Sequence, residues 1–383
     1  MIYLDYNATT PLAPEVFAAM RPVLEHQYGN PSSIHAVGRD ARAVIDDARD
    51  RLATLLGARP HEIIFTGGGT EADNLALLGL ARQRVRDGAE RHIVTPRSEH
   101  HAILHAAEFL EAREGFRVSW LEVDAGGRVD PEAVRAAITG ATALVSVMSA
   151  NNETGTLQPI AEIAAVCREK KVLFHSDMIQ SFGKLPVRVD GDEPGPDAIS
   201  LAAHKFYGPK GVGALWLRAG IPIDRTAYGG SHENARRPGT ENVAGIAGLV
   251  AAAERASAAL AHEQPRQARL RDRLWEGIAR VAPMAIRNGD PLHTLANTLN
   301  VSFPGLDGES LLMNLDLEGV AVSSGSACMV GSIQPSHVLL AMGVPAGVAQ
   351  ATVRFSLGEG TDAAAIEKVV AALARIVDRL RVE

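Results

Sequence analysis

Apolar and polar positions along this chain alternate between two periods. Short apolar runs with the spacing of buried strands occur at Ile63-Ile64-Phe65-Thr66, His92-Ile93-Val94-Thr95, Val118 to Val123, Ala143 to Met148, Val172-Leu173-Phe174-His175, Ala198 to Ala202 and Val212 to Leu217. Between them lie segments of helical spacing: Arg39 to Leu56, stopped at Gly57, one opening at Glu71, Ala102 to Glu114, and Ile160 to Lys170. Residues 1 to 14 read as an extended arm rich in Thr and Pro, and a helix begins at Pro14. Strands alternating with helices predict an α/β fold with a mostly parallel sheet covered on both faces.

The texture then changes. A long alanine-rich helix is expected from Val243 to Val281, followed by a strand at Leu299-Asn300-Val301-Ser302-Phe303, a helix at Ser310 to Glu318 and a strand around Val320-Ala321-Val322. Val353-Arg354-Phe355-Ser356 reads as another strand and Asp362 to Arg381 as a last helix. The expected organisation is an arm (1–14) packing with a small domain, a large domain (15–257) and a smaller α+β domain (258–383).

Composition narrows the classes. The 383 residues are 46% hydrophobic, enough for a large core. Net charge is −7 with no long basic run, so nucleic acid is not favoured as a partner. The start lacks a basic region followed by an apolar run, and no stretch is expected to span a bilayer. Two cysteines argue against a disulfide framework and fit a reducing, cytoplasmic setting. There is no internal repeat.

Chemistry concentrates in a few places. Lys205, in Ala203-His204-Lys205-Phe206-Tyr207-Gly208-Pro209, sits between a strand and a Gly-Pro turn. It is either a surface turn or the covalent anchor of an aldehyde cofactor. Thr66-Gly67-Gly68-Gly69-Thr70 joins a strand to a helix, as a capped turn or a phosphate cradle. Asp177 stands at a strand's C-terminal end, where open α/β sheets bind ligands. A carboxylate there either caps a helix or keeps a pyridine nitrogen protonated, with Gln180 donating to a phenolic oxygen. His100, before a helix, is structural, stacks on a flat ring or moves protons. The adjacent His101 makes a metal pair conceivable, but no metal is expected, because no third ligand has recognisable spacing. Cys328 lies in Ser323-Ser324-Gly325-Ser326-Ala327-Cys328-Met329-Val330-Gly331, among small residues that leave a thiol accessible, whereas Cys167 reads as core filling on an apolar helix face.

Together these stretches resemble the cysteine desulfurases of the NifS/IscS type, which have the pyridoxal-phosphate-dependent (PLP) transferase fold of aspartate aminotransferase. The resemblance runs over nearly the whole chain: Tyr3-Leu4-Asp5-Tyr6-Asn7-Ala8-Thr9-Thr10-Pro11, Gly29-Asn30-Pro31-Ser32-Ser33, Thr70-Glu71-Ala72-Asp73-Asn74, Glu99-His100, Asn151-Asn152-Glu153-Thr154-Gly155, His204-Lys205, Arg236 to Asn242 and Ser323 to Cys328. It implies that Lys205 carries PLP and moves protons, that His100 stacks on the ring, and that Asp177 and Gln180 meet the ring nitrogen and phenolic oxygen. Gly69, Thr70 and His204 would hold the phosphate, joined by Thr240 from the other subunit of a homodimer. Asn152 and Arg354 would receive the carboxylate of L-cysteine. Cys328 would take the sulfur as a persulfide, release alanine, and pass the sulfur to an acceptor protein such as an iron–sulfur scaffold or a thiolation factor. The Ser-Ser-Gly-Ser-Ala-Cys form resembles the branch that serves scaffold proteins.

The chain departs from the family pattern in three places. Ala202 stands where a phosphate-binding Ser is usual, Met178 where an alanine close beneath the ring is usual, and Met329-Val330 where Thr-Ser is usual. Weakened cofactor binding or a dedicated partner for the cysteine loop is the expectation. Housekeeping members also carry a longer tail used in scaffold docking than follows the last helix here, which puts that partner in question. Two other readings remain: a different PLP reaction, such as transamination or β-elimination, and a non-catalytic docking subunit. Alanine as the product from cysteine, against pyruvate and ammonia, separates desulfuration from β-elimination.

Overall fold

The computed structural model describes residues 1–191, 194–324 and 334–380. Its strands are β1 (Ile2–Tyr3), β2 (Ile63–Thr66), β3 (His92–Pro96), β4 (Arg117–Leu121), β5 (Leu144–Ser146), β6 (Leu173–Asp177), β7 (Ala198–Ala202), β8 (Gly213–Leu217), β9 (Ile286–Asn288), β10 (Thr298–Ser302), β11 (Val320–Ala321) and β12 (Thr352–Ser356). The helices are α1 (Pro14–His26), α2 (Ala36–Leu56), α3 (Gly69–Arg86), α4 (His101–Glu114), α5 (Pro131–Ala137), α6 (Ile160–Lys170), α7 (Val243–Val281), α8 (Gly308–Leu317), α9 (His337–Ala341), α10 (Ala346–Gln350) and α11 (Ala363–Leu380).

The seven-stranded central sheet has the order β2-β8-β7-β6-β5-β3-β4. It is parallel except for β8, which runs antiparallel to both neighbours. Its strands are apolar on both faces because both are covered. Ile63, Phe65, Ile199, Leu201 and Trp216 point into a core shared with α2 and α7. Ile64, Ala198, Leu215 and Leu217 point the other way, into a core shared with α3 and α4. A third core joins Leu4 of the arm to β10, β12, α8 and α11.

Most predicted elements stand where their periodicity placed them. Gly57 ends α2 in the left-handed conformation, with φ of 70°. The differences are short pieces. The sequence reading passed over α5, α9, α10 and the three-residue β9, whose Arg287 is only half-buried at a sheet edge. The bilayer expectation meets one exception: α7 is long and apolar enough, by length and composition, to cross a membrane. It packs instead against α1, α2 and α11, and buries Ile246, Leu249, Val250, Leu274 and Ile278. Its apolar face is thus that of a core helix.

Candidate active site

The C-terminal ends of β6 and β7 meet the N-terminal arm and β12 around a cavity of about 530 Å³. Lys205, His100, Asp177, Gln180, Asn152 and Arg354 line it, as do Gly69, Thr70 and His204. Among the described residues, Thr240 is exposed and does not line it within the same chain. Cys328 lies outside the described residues. Ser323 before that segment and His337 after it both border the cavity.

Lys205 ends a 3-10 turn that follows β7 directly. The turn is locked by the arm: Thr10 N–H donates to the His204 carbonyl at 2.9 Å, and Tyr207 N–H to the Thr10 hydroxyl at 2.7 Å. Tyr207 takes a left-handed φ of 68°, which turns the chain back behind the lysine. Lys205 Nζ donates to the carbonyls of Asn7 (2.7 Å) and Ala8 (2.9 Å). Burial, and then the Arg354 charge, lower its amine to about 8, so a neutral, nucleophilic fraction exists near neutral pH.

Asp177 closes β6 at the sheet edge and accepts the Ile179 N–H at 2.8 Å. Burial raises its carboxyl to about 6, with Lys205 opposing. Two further buried carboxyls, Asp73 and Glu99, are pushed well up by burial and by the charge of Asp177. Both hold their protons more tightly than ordinary carboxyls, and Asp177 is the carboxyl among the three that lines the cavity. His100 caps α4, its Nδ1 accepting from Ala102 N–H at 3.1 Å. Burial and the Lys205 charge lower it to about 4, so its ring is neutral. His204, lowered to about 4 mainly by burial, is held by the Thr9 hydroxyl at 3.1 Å.

Gly69 opens α3 on the cavity. A Cβ there would stand 2.3 Å from Ile179 Cδ1 and 3.2 Å from Ala202 Cβ, so a side chain would fill the space that the bare turn leaves open. Free amides at the start of an 18-residue helix favour an anion. Arg237 braces this turn through Glu71, which also accepts the Gly67 N–H.

Arg354 reaches in from β12. Its guanidinium donates to Asp5 Oδ1 (2.8 Å) and the Asn152 carbonyl (3.0 Å), while its buried Nε has no partner among the described residues. A preset fork with a spare donor suits a carboxylate.

Two readings need correction or completion. Met178 does not lie in the cavity; its side chain packs in the core beside Phe182 and Phe206, and Ile179 faces the cavity instead. Ala202 does line the cavity, and it offers no hydroxyl there. Cys167 is core filling, its thiol pushed up to about 12 by burial. No group of His, Cys, Asp or Glu among the described residues is arranged to hold a metal.

Sequence reasoning gave no role to Asn7, which is the hub of the site. Its carbonyl accepts from Gln180 Nε2 (2.9 Å) and Lys205, its amide donates to Thr298 Oγ1 (2.9 Å) and the Asn152 carbonyl (3.2 Å), and its N–H donates to Ser356 Oγ (2.9 Å). Its place inside Tyr6-Asn7-Ala8-Thr9-Thr10 was the available signal.

The residues present fit a pyridoxal phosphate. There is an amine with a lowered pKa, a buried carboxylate at the sheet edge, a bare helix start for the phosphate, and a cavity within the ordinary range for small ligands. Comparison with known proteins points the same way. The aminotransferase class-V family model matches residues 2–369. A cysteine desulfurase of Bradyrhizobium diazoefficiens is 48% identical over 382 residues, covering 99% of this chain and 95% of that one. The cysteine desulfurase IscS of Dictyoglomus turgidum is 46% identical over 380 residues, with 99% and 95% covered. The solved structure of a NifS-like protein superposes with a TM-score of 0.92 at 35% identity, covering 99% of this chain and all of that one.

Proposed function

The chain belongs to the aminotransferase class-V family and is a PLP-dependent cysteine desulfurase, and on that premise we propose how its residues divide the work. When bound, the cofactor supplies an aldehyde for the amine of L-cysteine and an electron sink for bonds at the α-carbon.

Asp177 holds the ring nitrogen in its protonated form, and Gln180 donates to the phenolic oxygen. Gly69, Thr70 and His204 hold the phosphate, completed by Thr240 of the partner subunit in a homodimer. His100 covers the ring as a neutral imidazole. Arg354 and Asn152 fix the substrate carboxylate, which orients the α-proton toward Lys205. Lys205 takes that proton and later returns one. The Cys328 thiolate attacks the substrate sulfur: an S–S bond forms and the C–S bond breaks. The electron pair left on carbon takes up a proton, alanine departs, and the persulfide remains on Cys328 for an acceptor protein. An iron–sulfur scaffold or a thiolation factor is that acceptor in this reading, and the setting is the cytoplasm. Residues 15–257 form the cofactor domain, and 258–383 the small domain that carries the cysteine loop.

The observation that carries this reading is the convergence of Lys205, Asp177 and Arg354 on one cavity. The test is the mass of the Cys328 peptide after L-cysteine is added without reductant. A gain of one sulfur atom with release of alanine is expected, and Cys328→Ser should bind cysteine without forming a persulfide. Normal alanine turnover by that variant, or pyruvate and ammonia as products, would sink the assignment.

A further inference from the structure

Lys184 is a half-buried amine that this division of labour leaves without a task. It lies four residues beyond Gln180, and among the described residues it makes no ion pair with a carboxylate. Burial, and then the charges of Lys205 and Arg354, push its amine well below the ordinary lysine range. An amine drawn partly out of water without a counter-ion gives the fold little stability.

Its contacts give it another purpose. Lys184 Nζ donates to Gln180 Oε1 at 2.7 Å and to Asn7 Oδ1 at 3.4 Å. On the opposite side of the same amide, Gln180 Nε2 donates at 2.9 Å to the Asn7 carbonyl, which also accepts from Lys205 Nζ at 2.7 Å. A flipped amide would set Nε2 against the Lys184 amine and Oε1 against the Asn7 carbonyl. Both hydrogen bonds would be lost, and donor would face donor and acceptor face acceptor. Lys184 and the Asn7 carbonyl therefore hold the same amide orientation from its two ends, the one that places N–H groups beside Lys205.

We propose that Lys184 is a positioning residue that fixes the Gln180 amide with its N–H groups at the Lys205 end of the cavity, so that the cofactor's phenolic oxygen always meets a donor. This rests on the cofactor roles proposed above.

The test uses the PLP-loaded protein and follows the pH midpoint of the bound cofactor's visible absorbance band, not turnover. A donor to the phenolic oxygen favours its anionic form and lowers the midpoint. Lys184→Met, which leaves the Asn7 carbonyl alone to hold the amide, should raise the midpoint by up to about one pH unit, the effect of one hydrogen bond to a charged oxygen. Lys184→Gln keeps an N–H donor for Oε1 but carries no charge, and should restore most of the parent value. In a Gln180→Ala background, Lys184→Met should have no further effect, because coupled residues are not additive. Thermal melting of each variant should stay near the parent's. Equal shifts in the Met and Gln variants would make this a charge effect and overturn the proposal. So would a Lys184→Met shift that persists without Gln180. Borohydride reduction separates the two levels: a parent protein without a pyridoxyl group on Lys205 overturns the cofactor reading, and with it this one. A labelled Lys205 with an unmoved midpoint overturns only the role of Lys184.

Discussion

Replacing Glu153 with Gln should make the protein more stable in mild alkali, with a smaller gain in mild acid. Glu153 is buried on the cavity wall, and its Oε2 accepts from the Ser336 hydroxyl at 2.5 Å. The same hydroxyl accepts the Leu339 N–H at the start of α9. Burial raises the Glu153 carboxyl to about 7, against the smaller pulls of Ser336 and Arg354. The folded protein therefore holds this proton more tightly than the unfolded chain does, where the carboxyl sits near its ordinary 4.5. The stability it confers is complete below 4.5 and is lost as pH rises through about 7. The separation is worth ~3 kcal/mol, of which ~2 kcal/mol falls between about pH 5.5 and about pH 8. Gln does not titrate and its amide oxygen still accepts from Ser336. Urea unfolding of the cofactor-saturated parent and Glu153→Gln proteins at both pH values gives the difference directly, since other titrations cancel. The variant should gain about 2 kcal/mol on the parent across that interval. A difference that stays flat with pH would refute the neutral buried carboxyl.

Other consequences can be measured separately. Ala202→Ser adds a hydroxyl beside the proposed phosphate cradle and should tighten PLP binding about tenfold or more, read by fluorescence titration; an unchanged affinity would mean that no donor is missing. Cofactor affinity of the parent should fall as pH drops through about 6, where the raised Asp177 carboxyl takes up a proton and loses its charge, and Asp177→Asn should bind weakly at every pH. Arg354→Lys keeps the charge but loses the fork, so KM for L-cysteine should rise about tenfold or more with a smaller change in kcat; equal effects on both would place Arg354 in the chemical step.

The sequence made legible whatever local spacing decides. The strand at Ala198–Ala202, the helix at Ile160–Lys170 and the stop at Gly57 follow from period and punctuation within the segment itself. Asp177, Lys205 and the Gly69 turn were visible because strand ends announce the sheet edge. Met178 stands where the family pattern has an alanine beneath the ring, and that pattern does not say which way a different side chain turns. Past Asp177 the chain turns, with the Ile179 N–H bonded back to the carboxylate, and strand alternation no longer says which side chain faces the cavity. Asn7 and Lys184 escaped for a different reason. The stretch around Asn7 marks the segment but not the residue's role, since Asn7 answers to Gln180, Thr298 and Ser356, and Lys184 to an amide whose orientation exists only in three dimensions. The helix α5 had readable start signals, Asp130 and Pro131, but only seven residues over which to establish a period.

The threading of the arm sets a timetable for assembly. Asn7 N–H meets Ser356, 349 positions further along the chain, and β1 pairs in parallel with β11. On a ribosome, the stretch that supplies the carbonyls for Lys205 is thus made long before its own partners exist. The seven-stranded sheet can form as its strands emerge, and the arm's contacts with Gln180, His204 and Tyr207 become available before those with β11 and β12, which complete its seat. Arg354 on β12 arrives after Lys205 and its arm partners, so a cofactor that reaches the chain earlier finds an amine without that neighbouring charge and closer to its ordinary basicity.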